Sequence, residues 1–172
     1  LEEKGFEVKL GMGGGHVRHP GQVLGCDVGA VENAGEVDAV VYFGGGKFHP
    51  LGIPSAKPVL VADPHLGDSY RITDEIRRIE RKRQGSILAA SRAKTFGILI
   101  STKCGQTNMN GARMAKRLLE KKGRKAALLV ANEVNPVSLA NFMSFDAYIN
   151  TACPRINDDT EAYGKPIVNV AD

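Results

Sequence analysis

Short apolar and β-branched runs recur along this chain, separated by polar stretches with helical spacing. The runs predict strands at about residues 7–10, 39–43, 58–62, 96–100, 126–131, 146–150 and 166–170. Two helices are predicted between the strands. One has Ile72, Ile76 and Ile79 on a single face. The other follows Asn110, a plausible N-cap, and stops at Gly123. Alternation of strands and helices is typical of α/β proteins with parallel sheets.

Part of this pattern occurs twice. Residues 38–63 and 146–172 each begin with Asp-Ala, continue into an apolar run, and place Lys-Pro 19 residues after the Asp. Asp38 therefore corresponds to Asp146, and Lys57-Pro58 to Lys165-Pro166, at an offset of 108. The repeat predicts two units built on the same plan.

The two units differ in length. Residues 1–11 resemble 119–129 at an offset of 118, so the first unit has about ten extra residues, in the stretch that contains HPGQVLGCD. The strand and helix at 96–118 have no counterpart in the first unit. We predict an α/β fold of two pseudo-repeated units, 1–93 and 94–172, each a small parallel sheet flanked by helices. The first unit is expected to be truncated at its N-terminus.

Composition narrows the class of protein. A chain of 172 residues with 42% apolar residues can build two modest cores. It contains no apolar run long enough for a membrane span, and no signal peptide opens it. The net charge of +4 comes mainly from the runs 77–84 and 116–125, which fit solvated helix faces better than docking on an acidic or ribonucleoprotein partner. We expect a cytoplasmic protein that binds neither membrane nor nucleic acid directly.

Three loops follow predicted strands, where parallel sheets bind their ligands: 44–52, 101–111 and 150–159. GGGKFHPLG at 44–52 has glycines and Lys47 suited to an anion, but it lacks the spacing of a nucleotide-binding loop. GMGGGH at 11–16 predicts only a flexible turn.

The cysteines are candidates for metal chemistry. The chain has three cysteines, Cys26, Cys104 and Cys153. Their odd number and wide spacing argue against a disulfide framework and for a reducing compartment. A lone cysteine is most often a small buried hydrophobe. However, Cys26 lies between Gly25 and Asp27 outside any predicted strand, and Cys153 lies at a strand end. Two loop thiolates from two units favour an iron–sulfur cluster over a hard cation, but are too few to hold one.

Several segments resemble one family. HPGQVLGCD, GGGKFHPLGI with KPVLVADP, FGILISTKCGQ, and DAYINTACPRINDD with YGKPIV are similar to segments of the diphthamide synthase family, in particular its archaeal enzymes for the first step. The resemblance covers essentially the whole chain. It implies three domains, each giving one cysteine to a 4Fe-4S cluster. Cys26 and Cys153 fall on the motif cysteines of the middle and last domains, the first domain is missing, and Cys104 lies outside the ligand pattern.

The resemblance also implies a reaction. S-adenosylmethionine would bind the iron that lacks a thiolate, and reductive cleavage of its Cγ–S bond would give a 3-amino-3-carboxypropyl radical. The radical would add to a histidine of translation elongation factor two and leave methylthioadenosine. The family usually forms homodimers. Thr102, Lys103 and Gln106 are candidates for the amino-acid end of S-adenosylmethionine, because an amide both donates and accepts. A polar turn before the helix is the alternative role for this loop.

Two other functions stay open. An enzyme similar to quinolinate synthase would also use three repeated domains and a three-cysteine cluster, although the ACPRI and FHPLG segments fit it poorly. The second possible function is that of a non-catalytic subunit, which only supports the cluster of a partner chain. We expect residues 1–172 alone to be inactive.

Overall fold

Two sheets form the framework of the chain in the computed structural model, which describes residues 1–54 and 56–170. The chain divides into unit 1, Leu1–Ile79, and unit 2, Glu80–Asp172. The strands are β1 (Val40–Phe43), β2 (Val59–Asp63), β3 (Asp68–Arg71), β4 (Thr95–Ser101), β5 (Lys125–Ala131), β6 (Ala147–Asn150) and β7 (Ile167–Asn169). The domain limits of 1–93 and 94–172 stay a prediction.

Helices connect most of these strands. They are α1 (Gly29–Glu32), α2 (Thr73–Ser91), α3 (Met109–Lys121), α4 (Pro136–Leu139) and α5 (Thr160–Tyr163). Short 3-10 helices cover Glu2–Lys4, Pro50–Gly52, Ala140–Phe142 and Pro154–Asp159. The α/β fold with parallel sheets flanked by helices is thus confirmed. Among the described residues, no helix has the length and apolar character needed to cross a membrane.

The sheet of unit 2 is fully parallel, with the order β5-β4-β6-β7. Its central strands are apolar on both faces because helices and loops cover both sides. Ile98 and Ile100 of β4 pack with α3, whereas Leu99 packs with Tyr148 and Ile167. This core holds the carboxyl ends of β4, β5 and β6 at one edge, from which the candidate site loops emerge.

Unit 1 has a three-stranded sheet with the order β1-β2-β3. Strands β1 and β2 are parallel, but β3 is antiparallel to β2, so the prediction of a purely parallel sheet is wrong for this strand. The predicted strand at 7–10 is also wrong: these residues form no strand, and Val8 and Leu10 are exposed. An alternating pattern cannot make a strand without a neighbouring ladder to pair with.

The internal repeat is visible in the strand register. The N–H of Val40 donates to the Pro58 carbonyl at 2.9 Å, and the N–H of Tyr148 donates to the Pro166 carbonyl at 2.9 Å. Tyr148 follows Val40 by 108 positions, and Pro166 follows Pro58 by the same 108 positions, which is the offset seen in the sequence. The Lys-Pro pairs therefore mark the same point in two parallel strand pairs, β1–β2 and β6–β7.

The helix ends partly follow the prediction. Asn108, not Asn110, caps α3, since its side chain accepts the Gly111 N–H at 2.9 Å. Gly123 follows the helix with a φ of 71°, a left-handed conformation that favours glycine, as the predicted stop requires. Asn135 caps α4, in a capping box with Ser138.

Candidate functional site

The Cys153 loop begins where β6 ends, at Asn150. This side chain is 1% exposed. Its amide nitrogen donates to the Cys153 carbonyl and to Asn169 Oδ1, both at 2.8 Å, and its oxygen accepts the Ala152 N–H at 3.0 Å. Pro154 then starts a 3-10 helix. One buried amide thus fixes the backbone that carries the half-buried Cys153.

A cleft of about 250 Å³ lies beside this loop. It is lined by Lys103, Gln106, Asn132, Glu133, Val134, Asn135, Cys153 and Ile156, from the loops that follow β4, β5 and β6. The structure therefore brings Cys153 together with two of the three residues predicted to bind the cofactor. Thr102 lies outside the lining, where its hydroxyl donates to Asn132 Oδ1 at 3.3 Å.

The cleft contains a pair of opposite charges. Lys103 Nζ lies 2.7 Å from Glu133 Oε1. The hydrogen bond from Lys103, together with its positive charge, lowers the pKa of Glu133, so the Glu133 carboxylate is charged at neutral pH. The pair is largely exposed and adds little to stability. It is therefore free to exchange partners with a ligand that carries both an ammonium and a carboxylate.

The loop that carries these groups is ordered by Ser101. The Ser101 hydroxyl oxygen accepts the Lys103 N–H at 3.1 Å, and the Ser101 carbonyl accepts the Thr107 hydroxyl at 2.9 Å. The Gln106 N–H donates to the Lys103 carbonyl at 3.1 Å. The predicted polar turn before α3 is real, and it places the Gln106 side chain at the cleft.

Behind Cys153, one carboxylate holds two guanidinium groups. The Nη2 atom of Arg83, on α2, lies 2.6 Å from Asp158 Oδ1, and Arg155 Nε lies 2.8 Å from Asp158 Oδ2. The side chains of Arg155 and Asp158 are only 9% and 13% exposed. Arg83 and Asp158 are 75 positions apart in sequence, so sequence patterns did not indicate this triad.

Cys26 lies in unit 1, at the tip of a tight turn. Leu24 and Asp27 exchange backbone hydrogen bonds at 2.9 and 3.1 Å. The Gly25 N–H donates to His49 Nδ1 at 3.0 Å, and a Cβ at Gly25 would lie 2.7 Å from the Phe48 ring. The FHP segment of the 44–52 loop therefore supports the turn, which leaves Cys26 exposed.

The GMGGGH segment supports the same turn from another direction. The buried Asp27 carboxylate accepts backbone N–H groups from Gly14 at 2.8 Å and His16 at 2.9 Å, and from Gly29 at 3.3 Å. Burial alone would raise the pKa of Asp27, but these hydrogen bonds lower it below its ordinary value. The prediction of a merely flexible turn at 11–16 is wrong, because the turn binds an internal carboxylate.

The other glycine-rich loop also binds an internal carboxylate. Asp63 is buried and accepts the N–H groups of His65 at 2.9 Å and Leu66 at 3.2 Å. Burial would raise the pKa of Asp63, but these bonds and one from the Gly46 N–H lower it. Lys47 Nζ lies 2.8 Å from Glu75. The anion that this loop suits is thus a side chain of the protein itself.

Comparison with known proteins identifies the family. A family model described as putative diphthamide synthesis protein matches residues 1–172. The chain belongs to the diphthamide synthesis protein family.

Relatives within this family carry specific names. The chain is 42% identical over 171 residues to 2-(3-amino-3-carboxypropyl)histidine synthase of Pyrococcus horikoshii, covering 98% of this chain and 48% of the relative. It is 34% identical to subunit 1 of 2-(3-amino-3-carboxypropyl)histidine synthase from Caenorhabditis elegans, over 81% of this chain and 36% of that protein. The chain thus spans half or less of the length of these relatives.

A solved structure in the diphthamide synthesis family has the same fold. The crystal structure of Dph2 from Pyrococcus horikoshii with a 4Fe-4S cluster matches with a TM-score of 0.83 and 37% identity. The match covers 98% of this chain and 48% of that chain.

The loop cysteines suit the cluster held by that family member. Both occur in turns whose backbone is fixed by buried polar side chains, Asn150 beside Cys153 and Asp27 beside Cys26. Within the described residues, no group of three or more His, Cys, Asp or Glu side chains is placed to hold a metal ion. The predicted ligands lie one in each unit, Cys26 in unit 1 and Cys153 in unit 2, and their assignment as ligands stays a prediction. Cys104 is exposed and is not among the residues that line the cleft.

Replacing Asp27 by Asn should destabilise unit 1. The carboxylate accepts through both oxygens, whereas an amide would present an NH₂ group to the N–H of either Gly14 or His16. We expect a loss of about 2 kcal/mol in the free energy of unfolding, measured by chemical denaturation at pH 7. Asp38→Asn, the same charge change at an exposed site, should cost less than about 0.5 kcal/mol.

The Asp27 effect should depend on pH in one direction. The folded pKa lies below that of an unfolded aspartate, so the carboxylate stabilises unit 1 above about pH 4. This contribution is lost as the pH falls through the folded pKa. The difference between wild type and Asp27→Asn should therefore shrink in acid, and a constant difference down to low pH would contradict the assignment.

Proposed function

We propose that the chain forms the middle and last domains of a three-domain 2-(3-amino-3-carboxypropyl)histidine synthase. The enzyme would use a 4Fe-4S cluster and S-adenosylmethionine to transfer a 3-amino-3-carboxypropyl group to a histidine of translation elongation factor two. The observation that carries the proposal is the cleft of unit 2, where a loop cysteine lies beside a lysine, a glutamate and a glutamine. It is supported by 42% identity to the Pyrococcus enzyme.

Cys26 and Cys153 would hold the cluster, with a third thiolate from outside residues 1–172. The role of the chain is to hold these thiolates on fixed turns and to keep water from the cleft. When bound, a reduced cluster would supply the electron for cleavage of the Cγ–S bond, with methylthioadenosine as the leaving group, and the histidine ring carbon that gains the 3-amino-3-carboxypropyl group would lose a proton and return one electron.

The charged groups of the cleft would bind the amino-acid end of S-adenosylmethionine. Lys103 would bind the carboxylate and Glu133 the ammonium, replacing the bond that they make with each other. Gln106 would donate to the carboxylate or accept from the ammonium. Thr102 would act indirectly, because its hydroxyl holds Asn132 in the lining.

Replacing Gln106 by Ala should weaken S-adenosylmethionine binding about tenfold, since a hydrogen bond to a charged group is lost. The measurement is equilibrium binding to the reconstituted full-length protein, with cluster absorbance unchanged. Gln84→Ala removes the same amide from an exposed position on α2 and should leave the affinity unchanged. Equal affinity of wild type and Gln106→Ala would refute the role of Gln106.

The direct test of function is turnover. The full-length protein, reconstituted anaerobically with iron and sulfide and then reduced, should form methylthioadenosine and modify the elongation factor. An enzyme similar to quinolinate synthase would bind a cluster without consuming S-adenosylmethionine. A non-catalytic subunit that only supports the cluster of a partner chain would show no turnover by itself, and turnover would require addition of that chain. We also propose a homodimer in the cytoplasm, which light scattering and fractionation would check.

A further inference from the structure

We propose that Ser101 is a positioning residue, whose buried hydroxyl holds Lys103 and Glu133 at the spacing that suits a carboxylate beside an ammonium. Ser101 thereby makes the cleft selective for the intact amino-acid end of S-adenosylmethionine. This inference rests on the proposed function, because it takes the cleft as the site of that end.

The two charges of the cleft lie on different loops. Lys103 is in the loop after β4, and Glu133 is in the loop after β5. The pairing of β4 with β5 ends at Ser101 and Ala131, and the Thr102 N–H donates to the Ala131 carbonyl at 3.0 Å. Beyond this point, the spacing of the two loops depends on side chains.

The Ser101 hydroxyl continues the connection beyond the paired strands. It donates to the Asn132 carbonyl at 3.1 Å and accepts the Lys103 N–H at 3.1 Å. A hydroxyl can donate and accept at the same time, so one side chain bonds to both loops. Asn132 directly precedes Glu133, and Ser101 is 1% exposed, which keeps competing water away from these bonds. The backbone positions of both charged residues are therefore tied to Ser101.

The ion pair itself cannot fix this spacing. Lys103 Nζ and Glu133 Oε1 lie 2.7 Å apart, but the two side chains are 42% and 62% exposed. Pairs with this exposure contribute little to stability, and a bound ligand replaces the bond between the two charges. The buried hydroxyl remains in place when the ligand binds. In Ser101→Ala, neither hydrogen bond can form, so Lys103 loses its alignment with the ligand carboxylate.

The consequence is a change in selectivity. A ligand that has the carboxylate loses its bond to Lys103 when the loops shift, whereas decarboxylated S-adenosylmethionine has no such bond to lose. A general loosening of unit 2 would weaken the binding of both ligands alike. The ratio of the two affinities therefore distinguishes a positioning role of Ser101 from a merely structural one.

The experiment measures equilibrium binding of both ligands to the reconstituted full-length protein, with the cluster kept oxidised so that no turnover occurs. Wild type should prefer S-adenosylmethionine about 50-fold, since the carboxylate bonds to a charged group. In Ser101→Ala, the preference should fall to about fivefold, with iron per chain unchanged. Ser86→Ala, which removes a hydroxyl from an 8% exposed site on α2 outside the cleft lining, should keep the wild-type preference.

A double substitution tests whether Ser101 acts through Lys103. Lys103→Met should reduce the preference to about twofold, because the carboxylate loses its cation. Adding Ser101→Ala to Lys103→Met should then leave the preference unchanged, since no alignment remains to be lost. A further fall as large as that in the single Ser101→Ala variant would overturn the inference.

The remaining outcomes separate the two proposals. A wild-type protein that does not bind S-adenosylmethionine refutes the proposed function and this inference with it. Equal preference in wild type and Ser101→Ala overturns this inference alone. If Ser101→Ala does not fold, Thr102→Val removes the exposed hydroxyl that donates to Asn132 Oδ1 at 3.3 Å, the second bond between these loops. It should lower the preference about threefold, and an unchanged preference there overturns the inference.

Discussion

Replacing Cys153 by Ser should abolish cluster binding in the full-length protein, and Cys26→Ser should do the same. A hydroxyl is a hard ligand that does not ionise near neutral pH, whereas iron–sulfur clusters bind thiolates. With one thiolate lost, we expect iron and sulfide per chain to fall at least tenfold after reconstitution and desalting. Methylthioadenosine formation should fall in parallel.

Cys104→Ser is the matched control. Cys104 is exposed, in the loop that also carries Lys103 and Gln106, but it is not among the residues lining the cleft. Its replacement should leave iron content and turnover within about twofold of wild type. Loss of the cluster in Cys104→Ser, or its retention in Cys153→Ser, would contradict the ligand assignment.

The fold of unit 2 should survive the Cys153→Ser substitution. Asn150 bonds to the backbone carbonyl of Cys153, which serine retains, and Pro154 still begins the 3-10 helix. The change in side-chain volume is small at a half-buried site. The circular dichroism spectrum and melting temperature of the cluster-free protein should therefore match wild type, so that lost iron reports lost ligation.

The repeat made the strand framework predictable from sequence. An Asp-Ala start and a Lys-Pro pair at the same spacing imply the same local structure twice, and β1–β2 and β6–β7 do pair in equivalent register. Six of the seven predicted strands formed, because each is an apolar run that pairs with a neighbouring strand. The strand at 7–10 failed, and β3, whose sequence is DSYR, was missed because half of its residues are charged.

The candidate site was only partly predictable, because its side chains are fixed by distant residues. Cys153, Lys103 and Gln106 follow parallel strands of one sheet, so their meeting at one edge could be expected. The binding of Asp27 by the GMGGGH backbone could not be predicted, since the spacing of glycines does not indicate which carboxylate their N–H groups will bind. The pairing of Arg83 with Asp158 spans 75 positions and depends on how α2 packs in unit 2.

Residues 1–172 alone should not turn over S-adenosylmethionine. Two thiolates leave two irons of a 4Fe-4S cluster without a cysteine ligand, and only one iron should be open to the substrate. Within the described residues, no three His, Cys, Asp or Glu side chains are grouped so as to hold a metal ion. We therefore expect less than about 1% of the methylthioadenosine formed by the full-length protein under identical reconstitution.

Misfolding would be a trivial cause of inactivity, so folding is measured alongside turnover. Each unit has its own buried core, around Val59, Val61 and Ile72 in unit 1 and around Ile98 and Tyr148 in unit 2. Residues 1–172 should therefore unfold cooperatively in denaturant. Robust turnover by a folded 1–172 chain would show that two loop cysteines suffice. Absence of turnover in both lengths, with the cluster bound in the longer one, would favour the non-catalytic partner subunit.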